Sequence, residues 1–83
     1  MALSCEVLLF AQLADAMSID RLAIELPDGA RVADCLDRLA AEHEAIREWQ
    51  DRIAVAVNER YASRDHALAD GDVIALIPPV SGG

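Results

Sequence analysis

The residues best suited to chemistry are Gly82 and Gly83, approached through Ile77-Pro78-Pro79-Val80-Ser81. A carboxylate carried on two glycines can enter a channel too narrow for any side chain, because glycine has no Cβ. Each proline fixes φ at about −65° and lacks an N–H, so a sheet ladder cannot continue through Pro78 and Pro79. The pair favours a polyproline-like exit from the strand before it. At roughly 3.3–3.6 Å per residue, the arm beyond Ile77 spans about 20 Å. Such an arm offers its carboxylate to another enzyme. With a pKa of about 3.5 the group is ionised and inert at neutral pH. Adenylation by a partner using ATP would make it an acyl donor, and attack by sulfur would leave a thiocarboxylate, a soft anionic nucleophile. A tail can also end in small residues because nothing there requires order. The double proline after an apolar strand argues against that plainer explanation.

Elsewhere the chain holds little that could catalyse. His43 and His66 are the only histidines. One falls toward the end of a predicted helix, where a solvated or dipole-compensating role is ordinary, and the other in a polar loop. No zinc-protease helix motif, Gly-rich phosphate loop or nucleophile elbow occurs. Ser81 has no fixed base beside it. Cys5 and Cys35 lie thirty residues apart without a C-x-x-C or a histidine at ligand spacing, so both read as small buried hydrophobes. No metal site and no bound cofactor are expected; ATP would belong to the activating partner.

The elements that would position the arm follow from hydrophobic periodicity. Ser4–Phe10 alternates as a strand, with Cys5, Val7 and Leu9 on one side and Glu6, Leu8 and Phe10 on the other. Residues 11–18 suit a helical turn. Arg21–Leu26 alternates again, and Pro27-Asp28-Gly29 turns the chain. Val32, Cys35, Leu36, Leu39 and Ala40 then form the stripe of an amphipathic helix, preceded by Arg31, a poor cap. Ile46, Trp49 and Ile53 suggest a second helical piece, followed by a strand Ile53–Val57, a turn at Asn58-Glu59 and a short strand Arg60–Ser63. Ala69-Asp70-Gly71-Asp72 turns into a last strand, Val73–Ile77. This order predicts an α+β domain over residues 1–77, a mixed sheet with a helix packed across one face, and a flexible tail over 78–83. The first and last strands, being the most apolar, should be neighbours in mid-sheet.

Composition sets the outer bounds. Eighty-three residues allow one core, and sixteen alanines with only three aromatics keep it small. A formal charge of −8 argues against nucleic-acid binding and favours a basic protein partner. All seven basic residues are arginine, so an activated terminus would find no side-chain amine on a sister molecule. The N-terminus lacks the charged start of a signal peptide and no run is long enough to cross a bilayer, which predicts a cytoplasmic chain. Two reduced thiols suit the same compartment. The parity of the strands also places Phe10, Tyr61 and part of the last strand on the uncovered side of the sheet, an apolar patch beside the arm.

Val7-Leu8-Leu9-Phe10-Ala11-Gln12, Ala56-Val57-Asn58 and the stretch from Asp65 through Asp70-Gly71-Asp72 to Pro78-Pro79-Val80-Ser81-Gly82-Gly83 resemble the small subunit family of molybdopterin synthase, the MoaD type. The resemblance runs nearly end to end. It implies a ubiquitin-like β-grasp fold. It implies that Gly83, next to Gly82, is adenylated by an enzyme of the ubiquitin-activating type and receives sulfur from a donor protein. The arm, Pro78 to Ser81 included, would then enter the large synthase subunit. There two sulfur transfers to cyclic pyranopterin monophosphate would form the dithiolene of molybdopterin. The resemblance further implies apolar partner contacts at Phe10, Tyr61 and Ile77, no activity for the chain alone, and a heterotetramer with a dimer of large subunits at its centre.

Two other readings stay open on the sequence. One keeps the sulfur chemistry and changes the client, to thiamine or tRNA thiolation. The other is a non-catalytic ubiquitin-like binding module.

Overall fold

The computed structural model describes residues 2–79. Strand β1 (Ala2–Leu9) leads into helix α1 (Ala11–Met17), then strand β2 (Arg21–Pro27) and helix α2 (Val32–Glu42). Helix α3 (Glu44–Trp49) and a single 3-10 turn (Gln50–Arg52) precede strands β3 (Ala54–Val57), β4 (Arg60–Tyr61) and β5 (Val73–Ile77). The strands form one mixed sheet in the order β2-β1-β5-β3-β4. β5 pairs parallel with β1 and antiparallel with β3, so the two apolar strands are neighbours as their sequences predict.

The alternation in β1 explains its placement. Leu3, Cys5, Val7 and Leu9 are buried, while Glu6 and Leu8 on the opposite parity are half-buried. α2 supplies the other wall: Val32, Cys35, Leu36, Leu39 and Ala40 are all buried, the full predicted stripe. α1 contributes Leu13 and α3 contributes Ile46 to the same core. All of the helical layer therefore covers one face, and the other is open.

Several expectations need correction. β1 stops at Leu9, because Phe10 becomes the extended residue before α1 and its carbonyl accepts the N–H groups of Leu13 and Ala14. β4 is two residues and not four, since Ser63 to Asp65 turn away toward α2. The second helical piece is present as expected, divided from α2 at His43, whose backbone is extended (φ −133°, ψ 112°) and whose side chain is half-buried at the junction with α3.

Arg31 caps α2 in an indirect way. Its own N–H donates to Asp34 Oδ2 at 2.8 Å, one half of a capping box. An arginine side chain has no acceptor for the other half. The loop before β5 supplies acceptors instead: Val32 N–H donates to the His66 carbonyl at 3.0 Å and Ala33 N–H to the Arg64 carbonyl at 2.9 Å. The Arg31 guanidinium closes the same loop by donating to the Asp65 carbonyl at 3.1 Å.

Candidate functional site

The open face can be read from strand register. Arg21 pairs with Leu8, Leu8 with Ala75, Ala75 with Ala56, and Ala56 with Tyr61, so these five residues form one row across all five strands. The neighbouring row places Ala23 beside Glu6 and Glu6 beside Val73. On the other side Ala54 pairs with Ile77. Three alanines from β3 and β5 thus keep the middle of this face low, with larger apolar groups around them.

Phe10 is 45% exposed and shares a depression of about 310 Å³ with Leu8 and Arg21. Tyr61, 78% exposed, borders a second one of about 410 Å³ with Arg60, His66 and Asp72. Ile77 is half-buried at the end of β5. Phe10 follows the Leu9–Leu76 pair, so the chain end of β1 lies beside the chain end of β5. Phe10, Ile77 and Tyr61 therefore belong to one continuous side of the molecule. Arg21 Nη1 lies 3.5 Å from Glu6 Oε2 on this face; both side chains reach solvent, Arg21 more than the half-buried Glu6, so the pair contributes little to stability.

The exit from β5 differs from the expected step off the body. Pro78 is buried, continuing the inward parity of Ile74 and Leu76, and Pro79 is half-buried. The folded body thus runs through Pro78, and that ring anchors the exit where a surface contact was expected. Val80, Ser81, Gly82 and Gly83 lie outside the described residues.

A hydrogen-bonded loop fixes the other end of β5. Ser4 N–H donates to Asp70 Oδ1 at 2.7 Å, and Gly71 N–H donates to the Ser4 carbonyl at 2.8 Å. Gly71 has φ +86°, a backbone region glycine enters without penalty. Asp72 accepts from Ala69 N–H through Oδ2 at 2.8 Å and from Asn58 Nδ2 through Oδ1 at 2.9 Å. Asn58 Oδ1 in turn accepts from Val73 N–H at 3.0 Å. The Asp-Gly-Asp segment therefore locks β1, β5 and the β3–β4 turn together, which holds the open row in register.

Among the described residues the cysteines and histidines do not assemble into a reactive centre. Cys5 and Cys35 are both buried and free. Burial, followed by the proximity of Cys5, pushes the Cys35 thiol up to about 12, and burial followed by Asp72 raises Cys5. Both stay protonated and unreactive at neutral pH. His66 is exposed beside Tyr61, while His43 lines a separate groove by α1 and α3. Among the described residues no group of three or more His, Cys, Asp or Glu side chains could hold a metal ion. No described helix is long and apolar enough to cross a membrane.

Sequence reasoning missed the alanine floor and Arg21. The signal was present in Ala54 and Ala56 alternating with Val55 and Val57, which puts small residues on one face of β3 and branched ones on the other.

Comparison with known proteins adds the following. The sequence profile of the ThiS family matches residues 7–83. The chain is 36% identical over 80 residues to the molybdopterin synthase sulfur carrier subunit of Chlamydomonas reinhardtii, covering 94% of this chain and 96% of that one. It is 37% identical over 83 residues to small archaeal modifier protein 1 of Haloferax volcanii, with coverage of 90% and 95%. A crystal structure of that modifier superposes with a TM-score of 0.84 at 38% identity, covering 96% of this chain and 99% of the other. The complex of subunits 1 and 2 of molybdopterin-converting factor from Helicobacter pylori gives 0.68 at 29% identity, with 98% and 100% covered. A ubiquitin from Caldiarchaeum subterraneum gives 0.69 with both chains fully covered; at 17% identity this is a likeness of fold alone, a ubiquitin-like β-grasp.

Proposed function

From the premise that the chain belongs to the ThiS family, we propose that it is the sulfur-carrying small subunit of a molybdopterin synthase, working through the carboxyl group of Gly83. The observation that carries this reading is the exit of β5. The central strand delivers the chain through a buried Pro78 beside the apolar side formed by Phe10, Leu8, Ile77 and Tyr61. A partner docked there would receive the segment that follows.

In this reading the body is the handle and Gly83 the reagent. A carboxylate oxygen attacks the α-phosphorus of ATP on an activating enzyme of the ubiquitin-activating type, and pyrophosphate leaves. A sulfide sulfur delivered by a donor protein attacks the acyl carbon, the C–O bond to AMP breaks, and a thiocarboxylate remains. Its sulfur then attacks a side-chain carbon of the pterin precursor, cyclic pyranopterin monophosphate, held by the large subunit; a C–O bond at that carbon breaks, and a thioester joins the carrier to the pterin until water cleaves it. Water releases the chain as the carboxylate, and a second carrier completes the dithiolene.

Phe10, Tyr61 and Ile77 provide the docking contacts, and Pro79, Val80, Ser81 and Gly82 enter the partner's channel. The chain acts in the cytoplasm, at each end of a dimer of large subunits, with no cofactor of its own and no nucleic acid or membrane as partner. The similarity to a chain from the complex of subunits 1 and 2 of the converting factor supports the large-subunit partner.

Intact-mass measurement after co-expression with the native activating enzyme should show one oxygen replaced by sulfur at the C-terminus. Adding one residue after Gly83 should abolish that exchange while the thermal melt stays unchanged. An extended variant that still supports dithiolene formation with the large subunit and the precursor would end this reading. Tyr61→Ala should weaken large-subunit binding about tenfold with little change in Tm.

The 37% identity to a small archaeal modifier protein favours a second reading, in which Gly83 is joined to amines of other proteins. This chain has no lysine, so any acceptor side chain must belong to another protein. Amide-linked conjugates formed without dithiolene product would decide for it.

A further inference from the structure

Three large hydrophobic side chains are exposed among the described residues, and the proposed docking face uses only Phe10 and Tyr61. The third, Ile19, is 43% exposed in the link between α1 and β2. Helix α1 ends at Ser18, a non-glycine residue in the left-handed region (φ 59°), and the chain then carries Ile19 outward before β2 begins. Ile19 stands between two depressions. One, of about 540 Å³, runs between Met17 and the α2–α3 junction, where Glu42, Glu44 and Glu48 line it. The other, of about 600 Å³, is bordered by Asp15, Asp20 and Arg21.

The charge around this apolar ridge is one-sided. Of the basic side chains among the described residues lining the two depressions, Arg21 is already paired with Glu6, and His43 lies half-buried at the α2–α3 junction. Glu42 is held by Arg38 Nε at 3.3 Å. Asp15, Asp20, Glu44 and Glu48 have no ion pair among the described residues. Two helices also end here without a basic residue in their last turns, α1 at Met17 and α2 at Glu42. Their carbonyl ends add negative potential where a cation is usually placed. One α2 carbonyl, that of Ala40, is met by Arg47 Nε at 3.1 Å from α3; α1 receives no such contact.

We propose that the Ile19 ridge is a second docking surface, fitted to a protein segment that sets an aliphatic side chain between arginines or lysines. The aliphatic group would cover Ile19 and Met17, and its cationic neighbours would meet Glu44 and Glu48 on one side and Asp15 and Asp20 on the other. Glu44 and Glu48 belong to α3 in the helical layer, and Asp20 also borders the Phe10 depression, so the two docking surfaces meet along that one edge. The inference does not rest on the sulfur-carrier reading.

The test uses the full-length, isotope-labelled chain titrated with the synthetic hexapeptide Lys-Arg-Ile-Leu-Arg-Lys, and with the same peptide carrying glutamate at every basic position. Amide shifts should concentrate at residues 15–20 and 42–48 with the basic peptide and vanish with the acidic one. Ile19→Ala, and separately Glu44→Gln with Glu48→Gln, should each weaken binding about tenfold while the melting curve is unchanged. Tyr61→Ala should leave peptide affinity as it is. Shifts spread over the whole acidic surface, or shifts centred on β5 and Tyr61, would overturn the proposal, as would unchanged affinity in Ile19→Ala. Peptide binding lost with large-subunit docking intact would sink this inference alone; the reverse would sink the functional reading alone.

Discussion

Single side chains carry more of this fold than the size of the core suggests. Arg64 Nη2 donates to the Ile53 carbonyl at 2.8 Å and the Gln50 carbonyl at 3.0 Å, while its own carbonyl caps α2. Hydrogen bonds from a charged donor are worth about 1.5–3 kcal/mol each in net stability, and losing them strands part-buried acceptors. Arg64→Met should therefore cost about 2 kcal/mol, read as a lower denaturant midpoint with unchanged slope. Cys35 gives a prediction with a pH sign. Its folded value lies near 12 against an unfolded value of 9.0, so the folded state holds the proton more tightly. That contribution is complete below pH 9.0 and is lost as pH rises toward 12. Cys35→Ala should flatten this alkaline limb, measured by thermal melts across the same range. The proposal for Gly83 starts from residue type and spacing, whereas the role of Arg64 could not be read that way. A guanidinium reaching two carbonyls from a different loop depends on tertiary placement that no local pattern encodes.

Among elements, the amphipathic stripe of α2 and the adjacency of β1 and β5 were both legible, because burial imposes periods of about 3.6 and 2 on the sequence. Junctions were not. Phe10 carries on the alternation of β1 yet leaves the sheet, since α1 needs an extended residue there to offer its carbonyl. Pro78 breaks the ladder as expected but keeps its inward parity, so the ring is buried where the sequence alone suggested departure from the body. The open face was half legible: parity pointed to Phe10 and Tyr61 and left open which residues of β5 join them, and the alanine floor needed the register of β3 against β5. The β3–β4 turn yields an element-level prediction. Asn58 and Glu59 both have positive φ, at 52° and 71°, the geometry of a two-residue hairpin that favours Asn-Gly. Asn58 is committed to Asp72 and Val73, so Glu59 is the position to change. Glu59→Gly should add about 0.5–1 kcal/mol, raising Tm by about 2–8 °C, because a left-handed glutamate is replaced by a residue without that penalty.

For the whole molecule the dominant property is charge. At −8 with a pI near 4.4, the chain projects a negative field that steers basic partners and slows acidic ones. Association with the large subunit should slow severalfold between 0.05 and about 0.5 M salt, while dissociation changes little, measurable by stopped-flow. A partner whose association rate is indifferent to salt would mean that apolar contact alone governs encounter. The parallel pairing of β1 with β5 has a mechanical corollary. β1 starts at Ala2 at one end of the sheet, and β5 finishes at Ile77 at the other. Tension applied along these two strands in opposite directions runs lengthwise through their ladder, so its evenly spaced bonds share the load in shear and do not peel one by one. A machine that tugs on the arm to extract it from a tight channel would be pulling against the sturdiest axis the sheet possesses.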